Sequence, residues 1–438
     1  MTATRRNPYS IISALVMSLA VILGLGIVSA EPAHAASPFA GKYTGTANGY
    51  ETVLEVSADG KVTYFNAWYY YSCGTSPGFG AAYWDTPVPV DTAGGFSKKI
   101  DGESISGTIA SNGTASVYYK NFYAGCAGDI SVTLKSAGPA PLPVTSRIAG
   151  DDRYSTAIAV SKSGYPTTAK VVYLATGSDY PDALAAAPAA AKEGGPLLLT
   201  TRGSLPTAIA NEIKRLKPTK VVVVGGTGAI SAKTFDQVKK IVTNTVRRSG
   251  NDRYATARAI AQAAFATATT AYIATGSDYP DALSASAPAG AAGAPVILVN
   301  GKAKSIDKAT KDLLTKLKVK KTIIAGGAGV VTEGIQNSLS SFGVTRVAGN
   351  DRFSTSQKLN KALAGKANTA YVATGFGFPD ALAGAAVAGA KKAPLYVVQR
   401  TCIPTSIRTD ILNGPVNRVN LLGGTGVLTD GVKKLKSC

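Results

Sequence analysis

Histidine is nearly missing from this chain of 438 residues: His34 is the only one, and both methionines, Met1 and Met17, also fall near the start. Arg5 and Arg6, an apolar run over residues 11–28, and the triplet Ala33, His34, Ala35 have the layout of a secretory signal peptide, with cleavage expected after residue 35. Once that segment is removed, no imidazole is left. Ser-His-Asp and Cys-His catalysis are then excluded, with every zinc site that needs a histidine. No later run is long and apolar enough to cross a bilayer, so no membrane span is expected in the mature form. No cysteine stands directly after the cleavage point to carry a lipid.

Cysteine is scarce as well. Cys73, Cys126, Cys402 and Cys438 are the full set, and none stands in a Cys-x-x-Cys motif. An even number in an exported chain points to two disulfides rather than to redox or metal chemistry. Nearness along the chain favours Cys73–Cys126 and Cys402–Cys438, although three pairings are open. No metal or cofactor is expected.

Acidic residues are few in one part only. The formal net charge is +20, and +19 remains without Arg5, Arg6 and Glu31. Residues 36–140 hold 6 Lys/Arg against 8 Asp/Glu, whereas residues 141–438 hold 38 against 17. Only the second part has the field to attract a polyanion. The change coincides with the uncharged, Pro-rich stretch "SAGPAPLPVTS" (136–146), which reads as an extended linker.

Residues 36–135 read as an all-β domain. Asp59-Gly60 and Asn112-Gly113 stand between short apolar segments, a hairpin signal in which both central residues are expected at positive φ. The run "AWYYYSC" (67–73) reads as the aromatic filling of a small sandwich or barrel, stapled by Cys73–Cys126; a stacking surface for sugar rings is the alternative.

After the linker the chain repeats itself. "AGDDRYSTA" (149–157) returns as "SGNDRYATA" (249–257) and "AGNDRFSTS" (348–356), and Arg147, Arg247 and Arg346 open three units over residues 147–246, 247–345 and 346–438. Each unit predicts a helix after the Asp-Arg motif; in unit two Tyr254, Ala257, Ile260, Ala261, Ala264 and Phe265 share one face. Short unbroken apolar strands follow, such as "VVYLATG" (171–177), "PLLLT" (196–200) and "VVVVGGTG" (221–228), alternating with helices. That order predicts α/β units, each a parallel sheet covered on both faces.

Three motifs carry chemistry. "GGTG" follows a strand but lacks the GxGxxG pattern and its acidic partner, so it reads as a tight turn rather than a nucleotide site. "GSDYPDAL" carries Asp179 and Asp182, echoed by Asp278 and Asp281, while unit three keeps only Asp380; these read first as residues that cap or open a helix. In the Asp-Arg motif, Arg153, Arg253 and Arg352 either lock one unit to the next or present a fork to phosphate or carboxylate, and the structural role is favoured. Arg147, Arg247, Arg248 and Arg346 stand beside them and join the candidate ligand-binding set. The lysine-rich run at 302–321 reads as a solvated helix face.

With these residues in view, the three units resemble the type 2 cell-wall-binding repeat of Gram-positive surface proteins. The likeness lies in "RIAGDDRYSTA" (147–157), "ATGSDYPDALAAAPAAA" (175–191), "PLLLT" and "VVVVGGTGAIS" (221–231), with their two echoes. It implies three Toprim-like α/β domains about a pseudo-threefold axis, with grooves between units that bind an anionic cell-wall polymer, such as a teichoic-acid-like one, non-covalently. Unit three departs through Phe376-Gly377-Phe378, Cys402 and Cys438. Some members of the family are labelled amidases, but a mature chain without histidine has no means of zinc amidase chemistry. The expectation is a secreted, non-catalytic cell-wall or surface protein whose repeats anchor a β-rich accessory domain. The alternative is a carboxylate hydrolase using Asp182, Glu51 or Glu55. Nucleic acid is not an expected partner, since the repeats lack interleaved aromatic and basic residues.

Overall fold

The computed structural model describes residues 37–57, 59–123, 125–136 and 142–438. The expected signal peptide, and most of the Pro-rich half of the linker, lie outside the described residues.

Residues 37–136 form one antiparallel sheet of nine strands. Eight run in the spatial order Ser76–Trp84, Lys61–Cys73, Tyr50–Val56, Gly41–Ala47, Cys126–Ser136, Thr114–Tyr123, Glu103–Ile109 and Gly95–Ile100. The long strand Lys61–Cys73 pairs again at its far end with the start of Cys126–Ser136 (Tyr71 opposite Gly128, Cys73 opposite Cys126), so the sheet rolls upon itself. The Cys73–Cys126 disulfide lies at that contact. Leu54, Phe65, Tyr69, Trp84, Ile105 and Tyr119 fill the inside. The hairpin turns differ from expectation. The two expected turns close with bonds from Gly60 N to Ser57 O and from Gly113 N to Ala110 O. Gly60 and Gly113 have φ of 77° and 80°, while Asp59 and Asn112 are not among the positive-φ residues. Each turn ends in one left-handed glycine, so only that residue needs the conformational freedom.

Each repeat gives a four-stranded, all-parallel sheet. In the first, Leu197–Thr200, Val171–Thr176, Lys220–Val224 and Thr245–Arg248 lie side by side in that order. Such strands are apolar throughout because both faces are covered. Val172, Leu174, Val221 and Val223 face an outer layer with Ile209, Ile213 and Leu216 of helix Thr207–Leu216. Val171, Tyr173, Val222 and Val224 face inward, into an apolar core continuous through all three units.

The sheets do not divide where the sequence repeats do. Thr245–Arg248 completes the sheet of unit one and Val344–Val347 that of unit two. The sheet of unit three is completed by Val144–Ile148, which lies parallel to Arg418–Leu422 from nearly three hundred residues further along. Arg147 thus opens the first repeat in sequence but belongs to the third sheet. The second disulfide, Cys402–Cys438, ties the final residues to the loop after the second strand of that unit.

The alanine-rich helices Pro181–Glu193, Pro280–Ala291 and Pro379–Ala390 pack on one another at the centre. At one end Gly290 and Gly389 meet backbone to backbone: a Cβ built on either lies 3.1 Å from the Cα of the other, with the Ala191 methyl close by. At the other end Tyr180, Tyr279 and Phe378 form a triangle of edge-on rings, with centroids 5.4, 5.7 and 6.0 Å apart. Small side chains let the helices approach; the aromatic trio closes the axis. Prolines inside two of these helices leave carbonyls without an i−4 partner. Asn360 Nδ2 donates to Ser284 O, the carbonyl freed by Pro288, at 3.1 Å. Ser286 Oγ lies 3.2 Å from Leu184 O, the carbonyl freed by Pro188, and 2.8 Å from Ala282 O in its own helix.

Candidate functional site

The Asp-Arg motif stands where one unit meets the next. Asp152, Asp252 and Asp351 are N-caps with extended backbones, and their carboxylates accept from the N–H of Ser155, Ala255 and Ser354 at 2.7, 2.6 and 2.7 Å. The Ser155 N–H bond holds the Asp152 carboxyl below its ordinary range. The arginine that follows begins each helix. Arg253 Nη1 donates to Gly276 O at 2.8 Å and Arg352 Nη1 to Gly375 O at 2.7 Å; Arg153 makes the equivalent bond to Gly177 O. In each case the acceptor lies at the end of the first strand of the arginine's own unit.

On its other side each of these guanidinium groups faces the unit before. Arg253 acts electrostatically on Asp182, Arg352 on Asp281, and Arg153 on Asp380. Those three aspartates stand at the second position of the central helices, whose N-caps are Tyr180, Tyr279 and Phe378 with no side-chain cap bond. They open the helices but do not cap them. Their carboxylates lie instead beneath the glycine turn after the third strand: a Cβ added to Gly225, Gly326 or Gly423 would lie 2.2, 2.3 or 2.4 Å from the carboxylate oxygen. All three of these glycines also have φ between 93° and 105°, so only glycine suits the position. Burial raises the Asp182 carboxyl above its ordinary value, a bond from Thr256 of the next unit and the charge of Arg253 oppose the rise, and Asp179 adds to it. Burial likewise raises Asp281 and Asp380.

Two clefts result at the carboxyl ends of the strands, the usual place for a ligand in an open parallel sheet. Between units one and two, a cavity of about 500 Å³ is lined by Asp179, Asp182, Arg202, Gly226, Asn251 and Arg253, among others. Between units two and three, one of about 280 Å³ includes Asp278, Asp281, Gly327, Asn350 and Arg352. Both present charges of each sign. Where unit three meets unit one the surroundings change. Gly377 replaces the first aspartate, Asp151 replaces asparagine, and Phe376 stands 61% exposed, edge-on to Phe353 with centroids 5.8 Å apart.

The remaining candidate arginines point elsewhere. Arg147 donates to Gly423 O and Leu428 O at 2.7 and 2.8 Å, Arg247 to Gly225 O at 2.7 Å, and Arg346 to Gly326 O and Gln336 Oε1, both at 2.8 Å. They brace the glycine turns from within, and burial lowers the pKa of Arg247 and Arg346. Arg248 is paired with Glu193 at 3.2 Å and bonded to the Tyr173 hydroxyl, with its side chain only 10% exposed. Sequence reasoning left Arg202 and Thr256 out of the site. Arg202 corresponds to Gly301 in unit two and to Arg400 in unit three, so the repetition marks it only in part. Among the described residues no group of three or more metal-ligating side chains comes together, and no helix is long and apolar enough to span a membrane.

Three stretches of the chain, residues 147–235, 247–336 and 346–433, match the family described as Cell wall binding domain 2 (CWB2). The chain is 32% identical over 292 residues to N-acetylmuramoyl-L-alanine amidase LytC of Bacillus subtilis, covering 66% of this chain and 58% of that protein. It is 27% identical over 293 residues to the amidase enhancer of the same organism, covering 66% of this chain and 40% of that one. Among solved structures, Cwp6 from Clostridium difficile superposes with a TM-score of 0.63 at 20% identity, over 93% of this chain and 64% of that one. Cwp8 from the same organism gives 0.61 at 27% identity, over 74% and 58%. The chain therefore spans no more than 58% of the length of these Bacillus relatives.

Proposed function

The chain belongs to the cell wall binding domain 2 family, and from that premise we propose that it is a non-catalytic protein of the cell wall or surface. Its repeats hold an anionic wall polymer without a covalent bond, and the β-rich domain is the accessory part they retain. The observation that carries this reading is the position of Arg253 and Arg352, each tied to its own unit by one nitrogen and lining a cleft shared with the unit before. A phosphate or carboxylate on the polymer takes the guanidinium edge, and its hydroxyls take Asp179 or Asp278. Long-range attraction comes from the lysine surface of the repeats rather than from the mixed-charge clefts. Linked sites of modest affinity then act together. Arg147, Arg247, Arg248 and Arg346 serve the fold in this reading. The secreted location and the Toprim-like description of the units belong to the same proposal; the latter is supported by four parallel strands with helices on both faces.

The test is retention of the full chain on isolated walls before and after the anionic polymers are extracted, with elution by salt. Retention that survives extraction unchanged defeats the proposal.

A second reading has its own observation. Asp179 and Asp182 share a cleft, and the second has a raised pKa, an arrangement suited to acid–base chemistry. Release of soluble wall fragments by the purified chain, lost in Asp182→Asn with the fold intact, identifies a hydrolase instead.

A further inference from the structure

The β-rich domain lies outside the matched repeats, and its run of aromatics is split between two environments. Ala67 and Tyr69 point into the core, while Trp68 and Tyr70 point to the other face of the sheet. There they join rings from neighbouring strands. Tyr70 lies 4.7 Å from Phe79 between centroids, Phe79 lies 5.5 Å from Trp68, and Trp68 lies 4.9 Å from Tyr50. Tyr50, Tyr70 and Tyr83 are 48%, 66% and 61% exposed. A sheet face of this kind leaves its apolar surface in water unless something covers it.

A seam in the sheet opens beside the row. Strand Cys126–Ser136 pairs with Gly41–Ala47 only at Lys135 and Ser136, and with Lys61–Cys73 only at Cys126, Ala127 and Gly128. Between these contacts residues 129–134 have no ladder partner on that edge. The gap is a cavity of about 470 Å³, within the range of small-ligand sites. Tyr70 forms one wall, and Thr46, Asn48, Asp129, Ser131 and Thr133 supply polar groups. An exposed ring beside hydroxyl, amide and carboxylate groups matches a sugar. A pyranose has an apolar face of C–H bonds for the ring and a rim of hydroxyls for the polar groups. Charge narrows the choice. The domain holds 8 acidic against 6 basic residues, with Asp129 in the seam and Glu51 and Glu55 exposed on a nearby strand. A polyanion is repelled here, and a neutral glycan is not.

We propose that the seam between Asn48 and Asp129 is a binding site for a neutral glycan chain, with Tyr70 stacking on one sugar and the row through Phe79, Trp68 and Tyr50 carrying the sugars beyond it. This site is independent of the repeat clefts and stands or falls without them.

The test titrates the full chain with chitotetraose, cellotetraose and maltotetraose, followed by calorimetry and by tryptophan fluorescence. Of the two tryptophans, Trp84 is 3% exposed inside the core and Trp68 stands in the row, so a change in emission reports on the row. Saturable binding of at least one of these probes is expected. Tyr70→Ala weakens it by about tenfold or more, equivalent to about 1.4 kcal/mol; Tyr70→Phe keeps the ring and retains the affinity. Asp129→Asn weakens binding while Trp68 still responds. Because Tyr70 is largely exposed, its replacement leaves the fold in place, which a circular dichroism melt checks. No binding of any of the three sugars at millimolar concentration overturns the proposal, as does equal binding by Tyr70→Ala. Concentration-dependent self-association that buries the same rings and is abolished by Tyr70→Ala also overturns it, in favour of contact between copies.

Discussion

The carboxamide of Asn360 donates to the main-chain oxygen of Ser284, the carbonyl that Pro288 leaves without a helical partner. The same side chain accepts from Leu395 N at 3.0 Å and is fully buried, so it joins the second strand of unit three to the central helix of unit two. Asn360→Leu strands both groups and is expected to cost about 2–3 kcal/mol in urea unfolding. In a Pro288→Ala background the helix regains its own N–H donor, and the same substitution should cost less. An equal cost in both backgrounds rejects the coupling.

Arginines at the two positions of each junction should separate in their effects. Arg247→Ala removes a donor from Gly225 O and is expected to destabilise the chain by about 1–3 kcal/mol. Wall retention of the folded fraction stays unchanged. Arg253→Ala with Arg352→Ala is expected to reduce wall retention by about tenfold, worth about 1.4 kcal/mol. Its Tm should fall less than that of Arg247→Ala. Thermal melts and wall pull-downs run side by side decide the matter; loss of retention in Arg247→Ala alone reverses the assignment.

Two sets of aspartates should respond to pH in opposite senses. Asp152 has a lowered carboxyl pKa in the fold, so its stabilisation is present above the ordinary carboxylate range and lost as pH falls through the lowered value. Asp152→Ala is therefore expected to cost about 1 kcal/mol at neutral pH and progressively less in acid. Asp182 has a raised one, so its ionised form weighs against folding at neutral pH and its protonated form does not. Asp182→Asn should accordingly be more stable than the parent at pH 7, with the difference vanishing below the ordinary carboxylate range. Unfolding midpoints across pH 3–8 measure both.

The axis tolerates no side chain at its narrow end. Gly389→Val places methyl groups against the Gly290 backbone and is expected to cost about 1–3 kcal/mol or more. Limited proteolysis should then separate the units. An unchanged Tm means that the helices part without loss.

Much of this architecture was legible in the sequence. Unbroken apolar strands flanked by helices specify covered parallel sheets, Asp before Arg specifies an N-cap, and nearness paired the cysteines. Other features were hidden for physical reasons. A tandem repeat reads the same whichever sheet accepts its first strand, so the placement of Val144–Ile148 in unit three left no mark. Pro-Asp at a helix start looks like a cap, yet the side chain of Asp182 turns beneath the glycine turn. Arg247 and Arg253 are alike in composition, and only the fold shows that one braces a turn while the other borders a cleft. The row of aromatics at 67–73 supports both of its readings because alternation along the strand sends successive rings to opposite faces.

The strand Val144–Ile148 has a consequence for assembly in time. A chain made from its N-terminus presents this segment long before its neighbour Arg418–Leu422 exists. Until then it is a spare edge held in waiting, and the trio is a ring with one link unfastened. Closing the link seats Val144–Ile148 beside Arg418–Leu422, so the third sheet takes its last strand from the start of the first repeat. A chain cut short before residue 418 should leave Val144–Ile148 without its ladder partner, an open edge prone to pairing with another chain.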